Sequence, residues 1–567
     1  MRRPMNFLTT AFCWALFASG CAGLPANKAA TQTKANLEQE RAAYLSQAEF
    51  QDTLKESTGL ELRALGLGAD EPLALGALGS ALVEANASSL TGHHALTVFY
   101  QHVDAEEAAV LHRQQSDSIK KIIRETGDGS RQQPYRVLSR ADARLMVSDS
   151  GHQLVGDIYQ SNSAAPLQLL VLSRPDETSP VTSTYFDLSD LIDPVAGEDG
   201  NPWDVLRILA DAEDTAAQAA IGTYLARQQR YEPAIRWLEL ASRNDNLLAH
   251  TLLARIYWYQ SGLRNPPQST DGQTEANASR KSTAELTQLA IDNHIAAIDL
   301  GSTESMYTLG RLLLEDSAQP AHTPSAQVVI DPRRKTAGAV ELLEQAGALG
   351  YAEAYLYLAR QYQRGSYVEA NENLANAYFA KAAELKNPKA IISYARYIGA
   401  SPDQSAKTQI IPLLSQLAES GDAEAMVVLG NMFAKGVGVR PSTRKAIRWY
   451  KKAVSTAQAS HHGDAAIVNE VAWTLAVTDR KGLHQPGYAQ TIMDAMMSSN
   501  KQVQQHPEYL DTWAATYAAN GNFEKAIELQ RLALQIARNQ ERTDVIDILK
   551  AHLKFFEAGT HIKDRTP

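Results

Sequence analysis

Between Gly421 and Ala453, small and large apolar residues recur among charged ones with a helical period. Ala425, Leu429 and Phe433 fall every fourth position and so share one face of a helix. Gly430, next to Leu429, leaves a gap through which a neighbouring helix can come close. The turn Gly436-Val437-Gly438 ends that helix, because glycine accepts the left-handed backbone of a helix terminus. Ser442 then suits an N-cap, and Ala446, Trp449, Tyr450 and Ala453 form the buried stripe of a second helix. A pair this small cannot bury its own apolar face and has to stack against copies of itself.

The copies are present. Ala354, Leu358 and Tyr362 repeat the first-helix pattern, and Ala375, Tyr378, Phe379 and Ala382 the second. Ser305, Leu309, Gly310 and Leu313 are answered by Ala339, Leu342, Leu343 and Ala346. Ala249, Leu253 and Tyr257 form an earlier first helix, and Ala217, Ile221, Gly222 and Leu225 with Ala234, Trp237, Leu238 and Ala241 an opening pair. The pattern predicts a mainly α chain whose main body, residues 201–540, is a right-handed α/α solenoid. Two of its turns, Ser261 to Lys281 and Asp316 to Arg334, are long and polar and should project from one edge; each alone reads as a tolerated surface insertion, and their adjacency offers a shared docking edge as the other reading. A helix around Asp544 to Phe556, within a terminal segment 541–567, offers Ile546, Leu549, Leu553 and Phe556 to cover the end of the stack.

The run LGxxF…GxGVxxxxxKAxxWYxKA resembles a Sel1-like repeat, a relative of the tetratricopeptide repeat. Leu510, Trp513, Ala514, Tyr517, Ala526 and Ala533 are similar to the tetratricopeptide form itself, and the segment Asn469 to Ala476 resembles the helix that precedes it in tandem arrays. The resemblance implies a scaffold for recognition, with partners docking on the face lined by the first helices. There the first helices carry aromatic residues beyond their packing positions: Trp258, Tyr259, Tyr307, Tyr355, Tyr357, Tyr394 and Tyr397. Tyrosine and tryptophan offer large, rigid contact area with a polar tip, which suits protein recognition or stacking on sugars. Padding between repeats is the alternative use of the same residues.

The chain starts differently. Arg2 and Arg3 precede an apolar run, Phe7 to Ala18, too short to span a bilayer as a stable helix. Ala18-Ser19-Gly20-Cys21 resembles a bacterial lipobox, which implies a signal peptide over 1–20 and an acylated Cys21 at the mature start. Several acyl chains would anchor durably where one binds only marginally. Ala22 is not the aspartate that marks inner-membrane retention in that family, so an outer-membrane, periplasm-facing location is expected. Residues 21–36 are small and polar and read as a tether.

Composition narrows the function. The net charge is −10, more negative still without Arg2 and Arg3, which argues against a nucleic-acid partner. Of two cysteines, Cys13 leaves with the signal, so no disulfide and no thiol chemistry are expected.

Residues 37–200 read as a helical plus β module. The stretch from Leu37 to about Gly129 is mostly helical. Between Pro134 and Asp187 the runs YRVLSR, ARLMVSD, HQLVGDIY and LQLLVLS are rich in Val, Leu and Ile, and Asp149-Ser150-Gly151 between two of them suggests a hairpin.

No HExxH, GxSxG or GxxxxGK[ST] motif occurs. The doublets His93-His94 and His461-His462 are neighbours that do not converge on a helix, and they read as solvated or capping residues. No catalytic residue, metal site or cofactor is expected.

The resulting expectation is a lipid-anchored envelope scaffold that binds other envelope proteins, an outer-membrane porin or cell-wall enzymes, and in one version a polysaccharide. The chain resembles alginate-export scaffold lipoproteins, including the mature start CAGLP, although the β module and greater length depart from them. That resemblance implies exopolysaccharide export. An adaptor for peptidoglycan hydrolases or synthases is the second reading, and an enzyme with its site in the Leu37–Asp187 region the third.

Overall fold

The computed structural model describes residues 34–67, 71–162, 165–197, 200–262, 281–317, 332–400, 404–459, 464–499 and 502–563. Cys21, the tether as far as residue 33, the doublet His461-His462 and most of the two long turns lie outside them, and the last three tether residues already belong to the helix Lys34–Leu45. Helices dominate the described residues, with one small sheet, and they divide into two compact units: Met1–Leu312 with Gln319–Asp331, and Leu313–Ala318 with Pro332–Pro567.

In the second unit the helix pairs are regular. Ala352–Arg364 packs on Glu372–Glu384, Pro388–Ala400 on Gln404–Glu419, and Ala423–Lys435 on Thr443–Ala459. Ala465–Val477 with Pro486–Ser499 and Pro507–Ala519 with Phe523–Asn539 continue the series. Each first helix also touches the next first helix, so these form a row, which ends on the helix Thr543–Glu557. Of the four residues its apolar spacing offered, that last helix buries Leu549 and Phe556, while Ile546 and Leu553 are half-buried.

The pair predicted from Gly421–Ala453 shows why the spacing works. Asp422 caps the first helix, its Oδ1 accepting from the Ala425 N–H at 2.8 Å. Gly436 ends it in the left-handed conformation, φ 75°. Ser442 Oγ then accepts from the Lys445 N–H at 3.3 Å and starts the second helix. Ala425, Leu429, Ala446, Tyr450 and Ala453 are buried, while Phe433 and Trp449 lie half-exposed beneath Lys445 and Lys452. A Cβ built on Gly430 would stand 2.5 Å from Cε1 of the fully buried Tyr450. The ring therefore occupies the space a side chain would need. Gly222 does the same for Leu238, 2.6 Å from its Cγ, in the first unit.

In the first unit, Phe50–Leu67, Pro72–Ala85, Leu90–His102 and Glu106–Arg124 pack consecutively. A four-stranded sheet follows, β1 (Tyr135–Arg136), β2 (Gln153–Gln160), β3 (Gln168–Arg174) and β4 (Thr182–Asp187), in the order β1-β4-β3-β2. β1 runs parallel to β4 and the other pairs are antiparallel, with a bulge in β2 between Leu154 and Gly156. Pro202–Asp211 leads into the pairs Thr215–Arg227 with Tyr231–Ser242 and Leu247–Gly262 with Thr283–Asp299. One apolar core runs from Leu37 through Leu169, Val171 and Phe186 to Leu253 and Ala290, so the sheet and the first repeat helices share an interior.

One expectation about the β module fails. ARLMVSD is not a strand: Arg140–Ser148 is a helix, and Asp149-Ser150-Gly151 is its exit, not a hairpin turn. Ser139 caps it, Oγ accepting from the Asp142 N–H at 3.1 Å, and the buried pairs Asp142/Met146 and Ala143/Val147 are four residues apart. The apolar content is that of a strand, but the period is helical.

Filling the Gly430 niche tests this packing. Helix propensity favours alanine over glycine by about 1 kcal/mol, whereas overpacking a filled site costs about 1–3 kcal/mol. Gly430→Ala should therefore lower the melting temperature modestly and Gly430→Trp severely. An unchanged transition in a thermal melt of the tryptophan variant would place the helix interface elsewhere.

Candidate functional site

The aromatic residues predicted as a partner surface separate into three groups. Trp258 and Tyr259, at the end of Leu247–Gly262, are 39% and 49% exposed, with Tyr259 against Tyr231 at 5.5 Å between centroids. Tyr307, Tyr357 and Tyr397 are half-buried. Tyr357 donates its hydroxyl to Glu315 Oε1 at 3.1 Å, and Tyr397 stacks on Phe379 at 4.6 Å.

Tyr355 and Tyr394 are corrected, because both are buried. The Tyr355 ring fills the niche over Gly347, where a Cβ would stand 2.6 Å away, and stacks on Tyr378 at 6.0 Å. Tyr394 stacks on Phe379 at 6.3 Å. These two tyrosines join neighbouring helices and present no surface to a partner. Sequence reading missed another exposed aromatic, Tyr224, 50% exposed and packed on Trp203 at 4.6 Å.

The densest polar chemistry lies inside the first unit. Arg140 forks onto Asp157, Nε to Oδ2 at 2.9 Å and Nη2 to Oδ1 at 2.7 Å, and its Nη1 lies 3.3 Å from Asp214 Oδ1. Arg144 Nη1 donates to Asp157 Oδ2 at 2.8 Å, and the Tyr159 hydroxyl to Asp214 Oδ2 at 3.2 Å. Asp214 is also the N-cap of Thr215–Arg227, its Oδ1 accepting from the N–H groups of Ala216 and Ala217 at 2.8 and 3.2 Å. Both aspartate side chains are 1% exposed. Burial alone would push Asp157 up, but Arg140 and Arg144 overcome it and hold the carboxyl below its ordinary range. Burial wins at Asp214 and pushes it up.

Glu61 and Asp142 lie behind this group and are pushed up as well, first by burial and, for Glu61, by the Asp142 carboxylate. Asp142 Oδ1 accepts from both the N–H and the hydroxyl of Thr91, at 2.9 and 2.8 Å. The cavity against Glu61, Ser57, Ser139 and Asp214 is about 20 Å³. That is room for roughly one water molecule and for no substrate. The cluster of carboxylates is thus spent on packing and capping.

His93 also departs from expectation. It is 7% exposed, and its Nε2 donates to the Ala87 carbonyl at 3.0 Å, which leaves Nδ1 to accept from His112 Nδ1 at 2.9 Å. Burial pushes its pKa down to about 4. Its partner lies a helix away, on Glu106–Arg124, which is why the doublet alone did not reveal it. Among the described residues no group of three or more His, Cys, Asp or Glu side chains could hold a metal ion.

Above the ion cluster a cleft of about 990 Å³ opens on the surface. Its walls come from Phe50–Leu67, the helix Arg140–Ser148, the bulged end of β2, and the turns that lead into Thr215–Arg227 and Leu247–Gly262. Arg140, Arg144 and Asp157 are among the residues that line it.

Set beside known proteins, the chain matches the Sel1 repeat family at residues 217–246, 352–387 and 423–455. It carries Sel1-like repeats, a type of repeat that mediates protein–protein interaction. An uncharacterized protein of Neisseria meningitidis serogroup B is 23% identical over 259 residues, and the match spans 45% of this chain and 46% of that protein, about half of each. Similar solved structures include a Sel1 repeat protein from Oxalobacter formigenes, 18% identical with a TM-score of 0.33, covering 50% of this chain and all of that one. Another is c5321, a protective antigen of uropathogenic Escherichia coli with an SLR fold, 13% identical with a TM-score of 0.38 over 94% of this chain and all of that one.

Two outcomes check the site chemistry. Arg140→Met leaves Asp157 and Asp214 undercompensated and should cost about 3–5 kcal/mol in urea unfolding. Adding Asp157→Leu should recover part of that loss, and an Arg140→Met protein of native stability would mean the cluster is not formed. For His93, the folded state stays neutral down to about pH 4 while the unfolded chain takes up a proton near 6.5. Stability should therefore fall as pH drops from about 6.5 towards 4, by on the order of 3 kcal/mol. His93→Gln should remove that slope; titrations common to both proteins, such as that of Glu61, cancel in the difference.

Proposed function

We propose that the chain is a non-catalytic scaffold of the bacterial envelope, held at the periplasmic face of the outer membrane by lipid on Cys21, that brings other envelope proteins together. The observation that carries the reading is the row of touching first helices in successive Sel1-like pairs. A rigid row of this kind serves recognition in unrelated systems, so it supports the class of function and leaves the partner open. Trp258 and Tyr259 on one such helix add exposed aromatic surface. Among the described residues no helix is long and apolar enough to cross a membrane, so attachment rests on the lipobox-like Ala18-Ser19-Gly20-Cys21.

Exopolysaccharide export is the pathway favoured by resemblance, and an adaptor for cell-wall hydrolases or synthases is the alternative. The enzymatic reading is disfavoured by the carboxylate cluster itself, where Asp157 and Asp214 are buried and taken up by Arg140, Arg144 and helix N–H groups, and Asp142 by Thr91. Cys21→Ala should move the protein from the membrane to the soluble fraction without changing its melting temperature, and retention in the membrane would refute the lipid anchor. Crosslinking in cells followed by mass spectrometry should recover a porin with polysaccharide-synthesis components, or else peptidoglycan enzymes. Recovery of no protein partner would sink the scaffold reading.

A further inference from the structure

The cleft in the first unit combines three kinds of wall. Basic groups come from two helices: Lys55 and Arg63 on Phe50–Leu67, and Arg144 on Arg140–Ser148. Acidic groups come from Asp211 at the end of Pro202–Asp211 and from the two interhelical turns, Glu213 in one and Asp245 in the other. Leu62 and Leu154 are among the apolar residues that line the remainder. Lys55, Glu213 and Asp245 are exposed and have no ion-pair partner among the described residues. Arg144 is different, because one nitrogen is fixed on Asp157, itself pinned by Arg140, while its side chain stays 29% exposed. The guanidinium is thus oriented in advance, with further N–H groups unspent, the arrangement in which arginine takes a carboxylate at low entropic cost.

We propose that this cleft is the docking groove for an extended polypeptide segment of a partner protein. A carboxylate of the segment meets Arg144 and its basic neighbours, a basic side chain meets Glu213 and Asp245, and an apolar side chain covers Leu62 and Leu154. The inference rests on the partner-binding reading above and adds to it a site and a sequence class. Charge decides the class. A uniformly anionic chain would gain Arg144 but meet the acidic turns, and a uniformly cationic one the reverse; only a ligand of mixed sign satisfies both sets. The volume, about 990 Å³, is at the upper end of the roughly 300–1,000 Å³ typical of ligand pockets and suits several residues of peptide.

Glu213 and Asp245 also offer a clean test. Both hold a left-handed backbone, φ 68° and 53°, immediately before a helix cap. Gly301, Gly350 and Gly421 occupy the equivalent turn position elsewhere in the chain, so Glu213→Gly and Asp245→Gly remove charge without a backbone penalty.

The experiment is fluorescence polarisation with the full chain and labelled eight-residue peptides. Each has a central leucine flanked by lysine on one side and glutamate on the other, in both orders, beside all-lysine, all-glutamate and all-serine versions. One mixed-charge order should bind at least tenfold more tightly than any single-sign peptide. Arg144→Gln and the Glu213→Gly/Asp245→Gly double variant should each weaken it at least tenfold, the double variant with an unchanged or higher melting temperature. Binding that survives in the double variant, binding that follows net charge alone, or no binding by the natural chain would each overturn the proposal. If the double variant still recovers the natural chain's crosslinked partners, the scaffold reading stands and the cleft falls.

Discussion

Asp214 serves two parts of the first unit at once. Its Oδ1 closes the N-terminus of Thr215–Arg227, the first helix of the first Sel1-like repeat, and the same carboxylate faces Arg140 and Tyr159 from the strand-bearing segment. An N-cap alone is worth about 1 kcal/mol. A buried charge left without its partner costs about 3–5 kcal/mol. The larger number governs here. The helix, β2 and Arg140–Ser148 are held in one relative position less by net attraction than by the penalty for any arrangement that separates Arg140 from its two aspartates. The shared apolar core has no such directionality, so the ion cluster sets the register and the core supplies the bulk of the burial.

In the repeats the corresponding constraint is steric. Gly222, Gly347 and Gly430 sit beneath Leu238, Tyr355 and Tyr450, and each accepts a large side chain where a methyl group would collide. Small-against-large complementarity lets short helices come close enough to bury rings such as Tyr450 completely. It also explains why tyrosines that look surplus in a first helix need not be exposed. Tyr355 has a glycine opposite, whereas Tyr259 at the end of its helix packs against the Tyr231 ring and remains half open.

This contrast marks how much was legible in the sequence. Period, the helix-ending glycine, the second cap and the Gly430 niche depend on residues within one repeat, and there Gly430, Gly436, Ser442 and Tyr450 could be read in place, whereas the Asp422 cap was not. The fate of Tyr355 depended on Gly347, in the preceding helix, a pairing no single helix period reveals. Arg140–Ser148 was misread because apolar content was weighed above the four-residue spacing of Asp142 with Met146 and the Ser139 cap. The ion cluster stayed hidden for a simpler reason: Arg140, Asp157 and Asp214 are far apart in the chain and meet only through the sheet. Asp157 in the apolar run LVGDIY was the available signal, since a charge on a buried strand requires a partner.

The turns between repeats carry this separation of roles furthest. Glu213, Asp245, Lys386 and Glu541 hold the left-handed backbone that glycine takes at 301, 350 and 421. For a residue with a side chain that conformation costs about 1–2 kcal/mol. Three of the four are followed at once by residues whose side chains accept N–H groups of the next helix, Asp214, Asn246 and Asn387. The turn is therefore imposed by the cap and by helix stacking, and the residue before the cap is not needed to shape it. Its side chain contributes nothing to the fold that glycine would not provide at lower cost, so its chemistry is free to be set by what it faces. At Glu213 and Asp245 it faces the cleft lined also by the same Arg140–Asp157–Arg144 group that seats the first repeat. The residues that seat the first repeat and those that line the cleft thus belong to one connected structure within the first unit, and a ligand bound there would sense that seating directly.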